Sequence, residues 1–243
     1  MDKFYLEDDR FHLDIPAFNQ QVVGYFPQYD LASMTQGAVV NYDKSNNITG
    51  HQQRSWLCYY ASRSFVEQRI ISIDLASAGV NMPFCLSTDI VGNKERPFYG
   101  GIMSGVQIKI DANDLSIFGD DSFGAVLGNH CLEHMHCNKL KGNETQEDKL
   151  AISCNGAELA DLLDNHWLRI IRPGGYLAQI FPSEVPCRRV NSSSLFHDPT
   201  HNHFLFPDTF KRMVLDRLKT PVEIIEFDTL NNNFSINLAL RKK

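Results

Sequence analysis

Short apolar runs recur along the chain after residue 68, and helix-like stretches separate them. Runs of this length, bounded by Gly, Asp or Asn, are typical of buried parallel strands. The pattern predicts strands at 69–75, 84–90, 106–110, 123–127, 176–181, 222–227 and 234–240. It predicts helices at 54–68, 156–171 and 207–218. Strands that alternate with helices and end in a hairpin indicate an α/β fold, with a mostly parallel sheet and an antiparallel C-terminal edge.

Two regions differ in how regular this pattern is. Residues 1–65 carry aromatic and polar positions without a clean period, which predicts an N-terminal cap with a helical segment. Residues 66–243 carry the regular pattern and predict the main domain. Within it, the polar segment 138–155 predicts a surface insertion that lines a substrate entrance or forms an oligomer contact, so a homo-oligomer is one expectation.

Composition and charge narrow the class of partner. The formal net charge is −6 and the basic residues are scattered, whereas nucleic-acid binders carry a basic stripe that neutralises phosphates. We therefore expect a small molecule or a sugar as partner, and no nucleic acid. No stretch approaches the ~20 apolar residues that span a bilayer, so no membrane partner is expected. The acidic N-terminus lacks the apolar segment of a secretory signal, which predicts a cytoplasmic location.

Carboxylates stand at the ends of the first three predicted strands. Asp74 lies at the end of the first, Asp89 at the end of the second, and Asp111 directly follows the third. In an open parallel sheet, ligands bind outside the carboxyl ends of the strands. A carboxylate at the end of the second strand can accept hydrogen bonds from both hydroxyls of a ribose, which suits a cofactor that contains adenosine.

Two segments resemble one enzyme family. Residues 111–134, DANDLSIFGDDSFGAVLGNHCLEH, and residues 167–176, WLRIIRPGGY, are similar to motifs of the class I S-adenosylmethionine (SAM)-dependent methyltransferases of the type 11-like kind, which act on small molecules or in polysaccharide clusters. The resemblance covers about residues 69–240. It implies a Rossmann-like seven-stranded, mostly parallel sheet with helices on both faces and an antiparallel C-terminal hairpin. It also implies SAM as cofactor and methyl transfer to an oxygen or nitrogen atom of a small molecule or sugar.

The resemblance also implies roles for individual residues. It places the ribose on Asp89, the adenine beside Asp111 and Ala112, and the methionine moiety near Asn129 and His130. It places Asp74, Ala76 and Gly79 in the loop under the carboxypropyl group. Glu133 and His134 would face the substrate as catalytic residues. Since the family motif accounts for residues 130–134, no metal is expected there.

The cofactor loop departs from the family motif D-x-G-x-G-x-G. This chain has DLASAG at 74–79, so Ala76 and Ala78 stand where the family has glycines and only Gly79 remains. Glycine allows the backbone to approach a ligand closely. Two outcomes stay open: the loop accommodates SAM with altered geometry, or the protein is a catalytically inactive methyltransferase-like binding or scaffold protein.

A histidine-rich stretch, FHDPTHNHF at 196–204, is a further candidate for chemistry. Imidazoles and carboxylates suit a divalent metal, which makes His197, Asp198, His201 and His203 metal candidates and a metal-assisted enzyme a third hypothesis. Histidine titrates near neutrality, so His201 and His203 are also candidates for a general base or for substrate contacts. The spacing matches no standard metal motif, and a set of loop histidines satisfied by hydrogen bonds is the simpler interpretation for each residue.

Overall fold

The computed structural model describes residues 4–7, 10–13, 50–77, 82, 84–90, 106–136, 156–182, 201–203, 207–228 and 235–243. The described strands are β1 (Phe4–Glu7), β2 (Arg10–Leu13), β3 (Ser72–Asp74), β4 (Cys85–Asp89), β5 (Ile108–Lys109), β6 (Phe123–Asn129), β7 (Ile171–Pro182), β8 (Val222–Asp228) and β9 (Ser235–Lys242). The described helices are α1 (Gly50–Gln68), α2 (Gly156–Leu162) and α3 (Pro207–Met213). A π-helix, Leu163–Leu168, continues α2, and 3-10 turns cover Leu132–His134 and Leu215–Arg217.

The main sheet has seven strands in the order β5-β4-β3-β6-β7-β9-β8. β3 pairs in parallel with β4 and β6, and parallel pairing continues outward to β5 on one side and β7 on the other. The last two strands pair antiparallel, β7 with β9 and β9 with β8. This order confirms the predicted mostly parallel sheet with an antiparallel C-terminal pair. β1 and β2 form a separate antiparallel pair.

Helices cover both faces of the sheet, as the sequence predicts. Successive side chains of a strand point to opposite faces, and along β6 Val126 packs in one buried cluster while Ala125 and Leu127 pack in another. The Val126 cluster includes Trp167 of the π-helix together with side chains of α2 and α3. The other cluster includes Trp56 and further side chains of α1. Both faces are therefore closed by apolar packing, which leaves the strand ends as the natural place for polar chemistry.

The junction between the second predicted helix and the strand after it differs from the prediction. The helical segment ends at Leu168, before the predicted end at residue 171, and β7 begins at Ile171 instead of Tyr176. Ile171 pairs with Phe123, and regular pairing resumes where Tyr176 faces Ala125. The intervening residues 172–175 form an irregularity within β7, with Gly174 at a φ of 82°. Pro173, Gly174 and Gly175 thus form an irregularity within a strand.

Helix α1 is the longest described helix, with 19 residues. Its buried side chains Trp56, Leu57, Tyr60 and Ala61 pack on the sheet. The predicted boundary between residues 65 and 66 falls inside this helix, and the division into cap and main domain stays a prediction. Among the helices in the described part of the chain, none has the length and apolar character needed to cross a membrane.

Candidate active site

The candidate site lies at the carboxyl edge of the sheet, where the strand order changes direction. β3 continues into β4 and β5 on one side, whereas β6 and β7 extend the sheet on the other. Ligands of open α/β sheets bind outside the strand ends at such a switch point. Asp74 ends β3, Asp89 ends β4 and Asn129 ends β6. Residues that the sequence predicts for cofactor binding therefore share this edge.

The thiol of Cys131 shows how closely the carboxylates converge. Cys131 follows β6 and is buried. Burial raises its pKa well above the ordinary range, and the negative charges of Glu133, Asp74, Asp89 and Asp111 raise it further. Two of these carboxylates come from the ends of β3 and β4, one from the loop after β5, and one from the 3-10 turn. The carboxyl edge therefore carries several acidic side chains.

The loop that is predicted to lie beside the adenine is held by its own hydrogen bonds. Asp111 Oδ1 accepts hydrogen bonds from the backbone N–H of Asn113 at 2.9 Å and from its Nδ2 at 2.8 Å. The carbonyl of Ala112 accepts one from Trp167 Nε1 at 2.8 Å. Asn113 Oδ1 in turn accepts the N–H of His136 at 2.8 Å. These bonds fix the loop to the π-helix and to the turn after β6.

The first part of the degenerate cofactor loop packs into the protein. Ser77 donates its N–H to the Thr88 carbonyl at 3.0 Å, and Thr88 Oγ1 donates to the Asp74 carbonyl at 2.8 Å. The side chain of Ala76 packs against the hydrophobic core, and Ser77 is fully buried. Ser77 therefore lies in the protein interior, and Ala76 is partly buried at its edge. Gly79 lies outside the described residues.

His130 occupies an unusual backbone conformation directly after β6. Its φ is 55°, in the left-handed region that non-glycine residues adopt rarely, and such strain is concentrated at functional sites. Its N–H donates to the Ile180 carbonyl at 2.7 Å, which ties the turn to β7. Its Nδ1 lies 3.1 Å from Glu133 Oε1. The strained turn therefore directs the His130 imidazole at the Glu133 carboxylate.

Glu133 is a fully buried carboxylate, with 0% of its surface exposed. Burial by itself raises a carboxyl pKa. Here the hydrogen bond from His130 and the positive potential of His130, His134 and His201 outweigh that effect, so the pKa of Glu133 lies below its ordinary value. Glu133 is thus ionised at neutral pH. Its second oxygen, Oε2, accepts no hydrogen bond from the described residues.

Two histidines from distant parts of the sequence meet beside Glu133. The rings of His134 and His201 lie 4.8 Å apart between centroids at an interplanar angle of 74°, and His134 Nε2 lies 3.8 Å from Glu133 Oε1. The carbonyl of Glu133 accepts the N–H of Asn202 at 2.8 Å and that of His203 at 3.0 Å. These backbone bonds fix the histidine loop against the 3-10 turn.

His203 differs from the other two histidines in its surroundings. It is 2% exposed, and its Nε2 lies 3.3 Å from the His136 carbonyl. Burial lowers its pKa to about 4, and hydrogen bonds to backbone carbonyls offset this only in part. The ring is therefore neutral at pH 7, and its position favours a structural role. The other predicted members of this group, His197 and Asp198, lie outside the described residues, as does the segment 138–155.

Sequence reasoning missed two parts of this site. It grouped His201 with its neighbours along the chain, whereas the structure places His201 against Glu133 and His134. It also passed over Asn202, whose Nδ2 donates to the carbonyl of His134 at 3.0 Å and to that of Met135 at 3.2 Å. An amide between two histidines is the only signal for this role in the sequence, and it is a weak one.

The sheet order and the helices on both faces define a Rossmann-like α/β domain, and its switch point is the candidate site. No family model matches the chain, and neither does any curated protein. Solved structures that resemble it include a SAM-dependent methyltransferase from Archaeoglobus fulgidus, with 15% identity, a TM-score of 0.44 and coverage of 78% of this chain and 94% of that chain. A SAM-dependent methyltransferase from Mesorhizobium loti has 10% identity and a TM-score of 0.45, and the match covers 71% of this chain and 90% of that chain. One from Thermotoga maritima has 10% identity and a TM-score of 0.42, and the match covers 79% of this chain and 95% of that chain. Values of this size assign no chemistry to this chain.

Proposed function

We propose that this protein is a SAM-dependent methyltransferase that acts on an oxygen or nitrogen atom of a small molecule or sugar. The observation that carries the proposal is the placement of Asp74, Asp89 and Asn129 at the carboxyl ends of β3, β4 and β6, at the switch point of the sheet. The sequence resemblance assigns all three side chains to the cofactor. Their common location supports this assignment.

The described residues fit the polar groups of SAM. Asp89 is a nearly buried carboxylate at the end of β4, suited to accept two ribose hydroxyls. Asn129 Oδ1 is buried at the end of β6 and accepts no hydrogen bond within the described part of the chain, so it can accept one from a cofactor. The methyl group of Ala76 packs on the core. Its replacement of a glycine therefore does not by itself exclude the methionine end.

SAM supplies a methyl group on a sulfonium, and the protein then has to position an acceptor and remove its proton. His134 is the leading candidate for the base, because its side chain is 32% exposed at the carboxyl edge. Glu133 Oε1 lies 3.8 Å from His134 Nε2, so a carboxylate lies beside the ring that would take the proton. His201, next to the His134 ring, is the second candidate. His203 remains a sequence prediction for this role, and its burial argues against it.

The surroundings of the site support a neutral, hydroxyl-bearing or amine-bearing acceptor. Carboxylates and imidazoles offer hydrogen bonds to hydroxyl and amino groups. The acidic edge and the net charge of −6 repel a polyanion such as a nucleic acid. A sugar or another small polar molecule is consistent with both features.

Calorimetric titration with SAM and with S-adenosylhomocysteine tests the proposal. We expect the wild-type protein to bind both, and Asp89→Asn to weaken binding by about tenfold or more, which corresponds to roughly 1.4 kcal/mol. Asp161→Asn is the matched control. Asp161 is a 59% exposed aspartate on α2 whose one ion pair among the described residues is with Lys219 at the surface, so its replacement leaves binding unchanged. Labelled SAM with pooled sugars and small metabolites then identifies the acceptor.

Absence of wild-type binding at millimolar SAM and S-adenosylhomocysteine would contradict the proposal. That result would favour the inactive binding or scaffold protein instead. Equal losses in Asp89→Asn and Asp161→Asn would show that the cofactor site lies elsewhere on the fold.

A further inference from the structure

A three-residue cluster at the carboxyl edge has the composition of a metal centre. Glu133, His134 and His201 each offer one ligand atom, and these atoms lie within 4.8 Å of one another. We propose that the three side chains bind a divalent transition-metal ion such as Zn²⁺. The sequence suggests a metal only for His201 and its neighbours along the chain, and none for Glu133 and His134. This inference does not depend on SAM binding. It is an alternative to the base role of His134 and His201, because an imidazole nitrogen that binds a metal ion cannot accept a proton.

The Oε2 atom of Glu133, which has no hydrogen-bond partner among the described residues, supports a bound cation. Oε1 accepts the hydrogen bond from His130, whereas Oε2 is buried and has no partner among the described residues. An ionised carboxylate that is fully removed from water with one oxygen unsatisfied is energetically costly. A bound cation compensates that cost directly.

The arrangement of the His134 and His201 rings also supports a shared metal ion. The rings of His134 and His201 meet edge to face at 4.8 Å, so both can direct a nitrogen toward one point. Neighbouring ligand atoms of a tetrahedral zinc site are about 3.3 Å apart when the bonds are about 2.0 Å long. The largest separation here, 4.8 Å, needs a modest closure. His134 is only half-buried and can rotate to provide it.

Hydrogen bonds to Glu133 hold the proposed ligands in place. Metal ligands are commonly oriented by further hydrogen bonds. His130 fixes Glu133 Oε1, and the Glu133 carbonyl holds the loop that carries His201 through the N–H groups of Asn202 and His203. The ligands from the 3-10 turn and from the loop are thus held together by backbone bonds that do not require the ion.

The ligand types select the class of metal and the kind of site. Two imidazoles with one carboxylate suit zinc, iron or cobalt, whereas magnesium and calcium prefer oxygen ligands alone. Three protein ligands leave one position of a tetrahedral ion open, which is typical of catalytic zinc sites. An open position at the carboxyl edge suits an oxygen atom of a small-molecule ligand.

The test is metal titration of the whole protein, purified without a polyhistidine tag and treated with a chelator. We expect one Zn²⁺ ion per chain by calorimetry, and Co²⁺ to give visible d–d absorption bands. Glu133→Gln and His201→Ala should each weaken Zn²⁺ binding by about a hundredfold or more, which exceeds the 10–100-fold typical of supporting residues. His136→Gln is the matched control, because the His136 ring is exposed and lies outside the cluster.

Circular dichroism and thermal melting show whether each variant remains folded, and His201→Ala provides a second variant if Glu133→Gln does not fold. Failure of the wild-type protein to bind Zn²⁺ or Co²⁺ at micromolar concentration would overturn the inference. So would equal binding by His201→Ala and wild type, or an equal loss in His136→Gln. Asp89→Asn should keep its Zn²⁺ affinity, so a failure of the proposed cofactor site and a failure of this metal site give different results.

Discussion

Gln179 provides a sharp test of the packing between the sheet and its helices. Its side chain is completely buried in the middle of β7, and neither Oε1 nor Nε2 has a hydrogen-bond partner in the described part of the chain. It pairs across the sheet with Gly128 on β6 and Leu238 on β9. A β-carbon at Gly128 would collide with the Gln179 amide, so the glycine leaves room for this side chain. Among the described residues, the amide is therefore buried without a hydrogen bond that compensates for its loss of water.

We expect Gln179→Met to increase the free energy of unfolding. Mutational data put the cost of a buried amide without a hydrogen bond at roughly 1–3 kcal/mol. Met has a similar length and flexibility and carries no strong polar group, so it fits the same space and removes that cost. An increase of about 1–3 kcal/mol follows. For a chain of this size, each kcal/mol raises Tm by about 2–4 °C.

Urea unfolding followed by circular dichroism measures this change. The urea midpoint should rise at an unchanged slope, because the surface exposed on unfolding stays nearly the same. Leu238→Met is the matched control: it places the same new side chain on the neighbouring strand without removing an amide, and it should be neutral or slightly destabilising. A lower midpoint for Gln179→Met than for Leu238→Met would refute the reasoning, because the amide would then make a favourable interaction.

Two polar anchors give further predictions. Asp164→Ala should lower the free energy of unfolding by about 2–3 kcal/mol, because the Asp164 carboxylate accepts hydrogen bonds from the backbone N–H groups of Lys219 and Thr220. Thermal denaturation measures this loss, and an unchanged Tm would contradict the prediction. Arg169→Lys should cost about 1–2 kcal/mol, since lysine cannot reproduce the guanidinium bonds to three backbone carbonyls and to Asp120. Asp120→Asn removes only the exposed ion pair and should cost less than about 1 kcal/mol, so an equal loss in both variants would assign the effect to that pair.

The sequence predicts the strands well where their length and apolar character are local properties. β4 and β5 lie inside their predicted runs, and β8 and β9 agree with the predicted hairpin to within a residue or two at each end. The start of β7 could not be predicted in this way. Residues 172–175 have the composition of a helix stop, yet pairing between Ile171 and Phe123 extends the strand across them. A contact between distant residues decides that boundary.

In the candidate site, too, some residues could be predicted from local sequence, whereas others are brought together by contacts between distant residues. Asp74, Asp89 and Asn129 could be predicted because the ends of parallel strands meet at one edge whatever the loops do. The meeting of Glu133 with His201 could not. It depends on the path of a loop, fixed by two backbone hydrogen bonds to the Glu133 carbonyl. No periodic pattern in the sequence encodes such a path.

His130 connects the two halves of the carboxyl edge. Its backbone N–H bonds to β7, so it belongs to the rigid sheet, while its imidazole holds the carboxylate of Glu133. The proposed cofactor groups Asp89 and Asn129 sit on strands, whereas His201 sits on a loop. Loops tolerate sequence change better than strands do. The proposed acceptor or metal side can therefore change with little effect on the proposed cofactor side, provided that the strained turn at His130 keeps Glu133 in place.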